Sequence, residues 1–315
     1  MMVKKFFLLI IALVFCLILL DKAFQFFLRQ NMNTKMAYIS REELDYDLLI
    51  HGPCEPLWMI NPTQLDSITG ISSYNLALSH SDFADNFIHL YQYLKHQKAP
   101  KYLLLYITPE SMDLRYNKFN TYRFADFLAD STVASIVEEM DPLYFKWSKL
   151  PFVRYAYYSN FINFKFVQGV KHFFQKRKTP YHENGYEAPA IQAWHYNLSK
   201  MVELYPKNIE FKWNSMREKY LIKLVKYAQK KGIKVIFYES PVFAPTISYQ
   251  KNRGEFIEHI KNTAQSLAVD FWEFGEIPMS KNEENFFSTL NTTLKGSRIF
   301  TDTLGKHIRQ NLLCE

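Results

Sequence analysis

Apolar positions along the chain follow two stretches of strand-and-helix alternation separated by a segment of another kind. In the first stretch, Leu48-Leu49-Ile50 is a short apolar run that stops at Gly52-Pro53. Leu57–Asp66 then predicts a short helix or loop, with Asn61-Pro62 as a helix start. Ser72–Leu78 (SSYNLAL) alternates as a strand does, and Lys101–Thr108 (KYLLLYIT) is apolar almost throughout. Between these two, Phe87, Leu90, Tyr91 and Leu94 recur at helical spacing over 83–96, behind the polar loop Ser79-His80-Ser81-Asp82. The alternation resumes with a helix over 211–231 stopped by Gly232, a strand over 233–239, a helix over 255–268, a strand over 269–274 and a last helix over 296–313. This order predicts an α/β domain with a parallel five-stranded sheet, helices on both faces and functional groups at the carboxyl edge of the sheet.

The intervening residues, 113–208, are dense in aromatics, including Tyr155, Tyr157, Tyr158, Phe161, Phe164, Phe166, Phe173 and Phe174. They predict a helical insertion in which Phe152–Phe174 forms one amphipathic helix, followed by the basic cluster Lys171–Lys178 and a loop over 179–189. Such a segment either caps the domain or lies on a membrane or a partner. The N-terminus has its own pattern: basic Met1–Lys5, then the uncharged apolar run Phe6–Leu20, then Asp21-Lys22 and a further apolar stretch to Leu28. It predicts a transmembrane signal anchor over 6–28 and a linker over 29–46, with the α/β domain over 47–315. No small-x-small cleavage site follows the run. Lys4 and Lys5 place residues 1–5 in the cytoplasm and the main domain outside, as a single-pass protein of the plasma (inner) membrane with a periplasmic body.

Composition narrows the classes. A hydrophobic share of 48% and a charged share of 22% are those of a folded chain. No Walker or GxGxxG pattern occurs, so no nucleotide cofactor is expected, and no cysteine pair has zinc-like spacing, so no metal is expected. The net charge of +7 comes without a nucleic-acid motif. It suits an anionic glycan or lipid surface, or is simply a lysine-rich exterior.

The candidate chemistry lies in Asp47–Asn61, where the first strand turns through Gly52-Pro53 and presents Cys54 beside Glu55. A strand ending in a sharp glycine turn with a nucleophile-type residue is how several hydrolases expose their reactive atom. Together with SYNLALSH, KYLLLYITPESMD, KVIFYESPV and FFSTLNTTLKGSRIFTDTL, this stretch resembles the SGNH (GDSL-like) hydrolase family, particularly its membrane-anchored members found with bacterial envelope polysaccharides. The resemblance covers about 47–112 and 207 onward. It implies a three-layer, flavodoxin-like (SGNH-like) domain, with Cys54 at the position of the family's serine. The family's second block matches at Ala77 and Ser79, and its third, an asparagine in the family, at Pro109-Glu110-Ser111. The family's acid and histidine match Ser288 and Asn291, and asparagine cannot accept a nucleophile's proton.

Two readings follow. In one, Cys54 works with His80, oriented by Glu55, Glu110 or Glu239, as an ester hydrolase or O-acyltransferase on envelope glycans. In the other, the chain is a pseudoenzyme that keeps a pocket lined by Gly52, Glu55, Ser79, Glu110, Glu239, Ser288 and Asn291. It then binds glycan, or serves a membrane acyltransferase or glycan-assembly partner. A last helix of about 17 residues, roughly 25 Å long, puts Cys314 at the sheet edge opposite Cys54, so the two are not expected to bridge.

Overall fold

The computed structural model describes residues 2–31, 34–115, 118–175, 184–189, 199, 202–203, 206 and 208–313. Cys314 and residues 179–183 of the loop expected over 179–189 lie outside them. In chain order the helices and strands are α1 (Met2–Arg29), α2 (Lys35–Ile39), β1 (Leu48–His51), α3 (Cys54–Met59), α4 (Pro62–Thr69), β2 (Ser73–Asn75), α5 (Phe83–His96), β3 (Tyr102–Tyr106) and α6 (Pro109–Met112). There follow α7 (Ser131–Met140), α8 (Pro142–Ser148), α9 (Val153–Ala156), α10 (Ser159–Gln175), α11 (Ser215–Lys230), β4 (Lys234–Glu239), α12 (Ala244–Ile247), α13 (Arg253–Ser266), β5 (Asp270–Glu273) and α14 (Leu294–Leu312). Contacts divide the chain into two compact units, one of residues 1–42 and 119–180, the other of 43–118 and 181–315.

The second unit is a three-layer α/β fold. Its sheet is five-stranded and wholly parallel, in the order β2-β1-β3-β4-β5. Crossovers therefore place a layer of helices on each face, and all strands end at one edge. Burial on both faces explains the near-continuous apolar runs: Leu48, Ile50, Leu104, Tyr106, Ile236 and Tyr238 join one core with Phe300, Leu304, Ile308 and Leu312 of α14. Their neighbours Leu49, Leu103, Leu105 and Phe237 are equally buried and face the other side by the alternation of the strand. On the far layer α5 meets α11 through Phe87, whose ring lies 6.5 Å from that of Tyr220.

Local chemistry sets the element ends. Asp82 and Asp85 form a reciprocal capping box at α5, and Asn61 caps α4, with Pro62 in its first turn and left-handed Gly70 at its end. Where the predicted boundaries differ, a side chain redirects the backbone. The second strand stops at Asn75, whose Oδ1 accepts the Ala77 N–H at 3.1 Å, although Leu76 and Leu78 still donate to Ile50 and Gly52. The helix expected from 211 begins at Ser215 because Asn214 caps it.

The first unit is helical. Within it, α1 is long and apolar enough to cross a membrane. The single helix expected over 152–174 is two: Phe152 takes a left-handed conformation (φ 69°), α9 ends at Ala156, and α10 starts at Ser159. The cause is Asp21 of α1, whose Oδ1 accepts the Phe152 N–H at 3.1 Å and the Arg154 Nε–H at 2.9 Å. Asp21, which interrupts the apolar run of the expected anchor, is buried and ion-paired with Arg154, so it faces inward to its own unit. Further along, α10 crosses α1 at Gly169, where an added Cβ would lie 1.8 Å from the Phe27 carbonyl oxygen.

Candidate functional site at the carboxyl edge of the sheet

The turn after β1 is built on a histidine and a glycine. His51 is fully buried; its Nδ1 accepts the Gly52 N–H at 2.9 Å, and its Nε2 lies 2.9 Å from the Asn86 carbonyl. Those partners require a neutral ring with the proton on Nε2. Gly52 has φ 150°, and an added Cβ would stand 2.7 Å from Cβ of Tyr106, so only glycine fits this close approach. The backbone then enters α3 at Cys54. The segment after β2 runs alongside: Leu78 donates to the Gly52 carbonyl at 2.9 Å, and the Ser81 hydroxyl lies 3.2 Å from the same oxygen. Asn75 ties the far end of α3 to β2, donating from Nδ2 to the carbonyls of Pro56 at 2.8 Å and Ile60 at 3.0 Å.

Cys54 is buried, and its Sγ–H donates to Oε2 of Glu55 at 3.6 Å. Burial pushes the thiol well above its ordinary range and the Glu55 charge pushes further, while main-chain N–H groups of His80 and Cys54 itself pull the other way. What reaches the sulfur from His80 is its main-chain N–H; the residue is left-handed (φ 53°) and exposed. Ser79, beside it, is half-buried. Glu55 is 1% exposed. Burial and then the Glu55 charge raise the hydroxyls of Tyr106 and Tyr238 far above the usual tyrosine range, and Glu110 adds to the effect on Tyr106. The two rings lie 5.9 Å apart at the ends of β3 and β4.

A second group crosses these strand ends. Glu110 Oε1 accepts from Gln250 Nε2 at 2.6 Å, Gln250 Oε1 accepts from Arg253 Nη1 at 3.0 Å, and Arg253 is ion-paired with Glu239. The other Glu110 oxygen is buried with no hydrogen-bond partner among the described residues. Burial raises Glu239 from the ordinary 4.5 to about 7; Arg253 opposes this and Glu110 reinforces it. The folded chain thus binds this proton more tightly than the unfolded chain. The stability it contributes is complete below the unfolded value of about 4.3 and is lost as pH rises through about 7. The urea midpoint is expected to fall between about pH 5 and about pH 8, with a shallower fall in Glu239→Gln.

Ser288 and Asn291 form a third group. Asn291 Nδ2 donates to Ser288 Oγ at 3.1 Å, and the Ser288 N–H returns to the Asn291 carbonyl at 3.1 Å. The Thr289 carbonyl accepts the Phe243 N–H at 3.2 Å, which ties this turn to the segment after β4. Neither Ser288 nor Asn291 hydrogen-bonds Cys54 among the described residues. The sequence reading overlooked His51, Asn75, Gln250 and Arg253. His51 carried one signal, a polar residue closing an apolar strand; the others become visible only through partners distant in sequence.

Chemically the groups gathered here are the Cys54 thiol donating to Glu55, the buried carboxylates of Glu55, Glu110 and Glu239, and the Arg253 guanidinium paired with Glu239. Among the described residues no cluster of three or more His, Cys, Asp or Glu side chains could hold a metal ion. No family model matches the sequence, nor does any curated protein. Among solved structures the fold is similar to a proposed acylhydrolase from Bacteroides fragilis NCTC 9343, at 10% identity and a TM-score of 0.40, covering 90% of this chain and 96% of that one. A likeness at that level carries no inference about activity; the assignment to the three-layer α/β class rests on the sheet order and the helices of the chain itself.

Proposed function

We propose that the chain is a membrane-anchored pseudoenzyme of the cell envelope. Its acylhydrolase-like domain faces the periplasm and serves glycan acyl modification by binding the polysaccharide or by assisting a membrane acyltransferase. The observation that carries this reading is the state of Cys54: a buried thiol donating to Glu55, held protonated by burial and by that carboxylate. A nucleophile needs a partner that removes its proton, whereas a neighbouring carboxylate inside a buried site favours the proton's retention. Asn291, at the position of the family's histidine, donates to Ser288 and has no basic nitrogen to offer. Periplasmic placement is supported by Lys4 and Lys5 at the start of α1 and by the apolar length of α1; binding of an anionic glycan is supported by the net charge of +7.

The test uses the full-length protein in detergent with acetyl esters of a chromogenic alcohol and of acetylated envelope polysaccharide. The reading predicts no turnover above that of Cys54→Ala, together with retention of the deacetylated or acetylated polysaccharide on immobilised protein. Turnover abolished by both Cys54→Ala and His80→Ala would instead establish the thiol-dependent esterase or O-acyltransferase.

A further inference from the structure

We infer that the helical unit makes a second contact with the bilayer: the turn between α8 and α9 and the outer face of α10 rest in the headgroup layer of the membrane that α1 crosses, beside anionic lipid. The inference depends on α1 spanning that membrane and is otherwise independent of the chemistry proposed for Cys54.

The surroundings of α1 change at one residue. Phe6–Leu20, the uncharged run after Lys4 and Lys5, is exposed almost throughout, and fifteen residues at 1.5 Å each give roughly 22 Å, most of the ~30 Å hydrocarbon core. From Asp21 onward the helix is packed by its own unit: Phe24 stacks on Phe166 at 4.0 Å, and Phe27 meets Phe166 and Phe173. Asp21 also fixes what stands at that level, because it holds the Phe152 N–H and the Arg154 guanidinium, directly after the α8–α9 turn.

Along α8 and into that turn, Leu143, Trp147 and Leu150 are 57%, 45% and 48% exposed, and Lys146 and Lys149 between them are exposed as well. An indole and aliphatic side chains flanked by lysines match the membrane–water interface, where amphipathic rings sit at headgroup level and cations meet anionic lipid. The helix α10 repeats the pattern. Ile162, Phe166, Gly169 and Phe173 follow a helical stripe toward α1, while Phe164, Val167 and Phe174 on the opposite side are 68%, 50% and 73% exposed, with Lys171 among them. A helix apolar on two faces needs a second apolar neighbour. Its contacts at Phe24 and Phe27 lie about 4.5 and 9 Å along α1 from Asp21. A ~30 Å core counted from Phe6 ends near Phe26, so these contacts straddle the boundary between hydrocarbon and headgroups. Continuity with the α1 span and the lysine flanks favour lipid over a second copy of the chain.

The experiment reconstitutes the full chain in liposomes of phosphatidylcholine with phosphatidylglycerol, with and without acyl-brominated lipid. The Trp147 signal is taken as the emission difference between wild type and Trp147→Phe. A loss of that emission with brominated lipid is expected, together with weak quenching by aqueous iodide and a smaller loss in Lys146→Glu/Lys149→Glu. A nitroxide at Leu150→Cys gives an independent reading: greater accessibility to oxygen than to a water-soluble nickel complex is expected. Trp147 emission untouched by brominated lipid overturns the inference, whether iodide quenches it or concentration-dependent self-association shields it. A chain stripped from the liposomes by alkaline carbonate has no spanning helix and overturns the membrane anchor as well; one that stays while Trp147 remains unquenched overturns this surface alone.

Discussion

At about pH 8, where Glu239 is ionised beside Arg253, Arg253→Ala is expected to destabilise the α/β unit by about 3–5 kcal/mol, because it leaves the Glu239 carboxylate buried without its cation. Glu239 is 3% exposed and the side chains of the pair are only 4% and 11% exposed, so water cannot take over the role of Arg253. The loss extends beyond one pair, since Arg253 also donates to Gln250, which in turn donates to Glu110. The measurement is the urea midpoint of the detergent-solubilised full chain. Arg253→Gln combined with Glu239→Gln should recover most of the deficit, because removing both charges of a buried pair costs far less than removing one. A midpoint unchanged in Arg253→Ala would show that the linkage across the strand ends contributes nothing to stability.

Arg154→Ala is expected to be as damaging to the helical unit, again by about 3–5 kcal/mol, with Asp21 left as the uncompensated buried charge. The side chains of this pair are 11% and 12% exposed. The effect should appear as faster proteolysis within 119–175 while the α/β unit keeps its protease-resistant fragment. Asp21→Asn in the same chain should restore much of the resistance, since an asparagine oxygen still accepts the Phe152 N–H that Asp21 now holds. Equal resistance of Arg154→Ala and wild type would mean that the α8–α9 turn is not held at Asp21, which would also weaken the case for its place at the membrane.

The α/β layers are legible in the sequence because parallel strands buried on both faces must be apolar at nearly every position, as in Leu48–Ile50, Tyr102–Tyr106 and Lys234–Glu239. Turns carried by Gly52 and Asn61-Pro62 were legible for the same kind of reason, a backbone requirement few residues meet. The polar linkages were not. Gln250 meets Glu110 across 140 residues and Arg154 meets Asp21 across 133, so nothing local in either segment marks the partner. Asp21 illustrates the cost: in the sequence it is only an interruption within the anchor expected over 6–28, whereas its role in packing the aromatic insertion depends on a left-handed Phe152 that no local propensity favours. At the candidate site the sequence pointed to Cys54 through its turn, but burial and the direction of its hydrogen bond decide its chemistry, and those arise only from the packed edge.

Peptide-resolved alkylation of Cys54 by iodoacetamide in the folded full chain, followed from about pH 6 to about pH 10, tests the loss of nucleophilic chemistry most directly, given an ordinary thiol pKa of about 8.5. The buried, protonated thiol predicts a rate far below that of an exposed cysteine throughout this range, climbing only toward its alkaline end and released by unfolding. Rapid alkylation near neutral pH that titrates in the histidine range, about 6.5, and disappears in His80→Ala would contradict it.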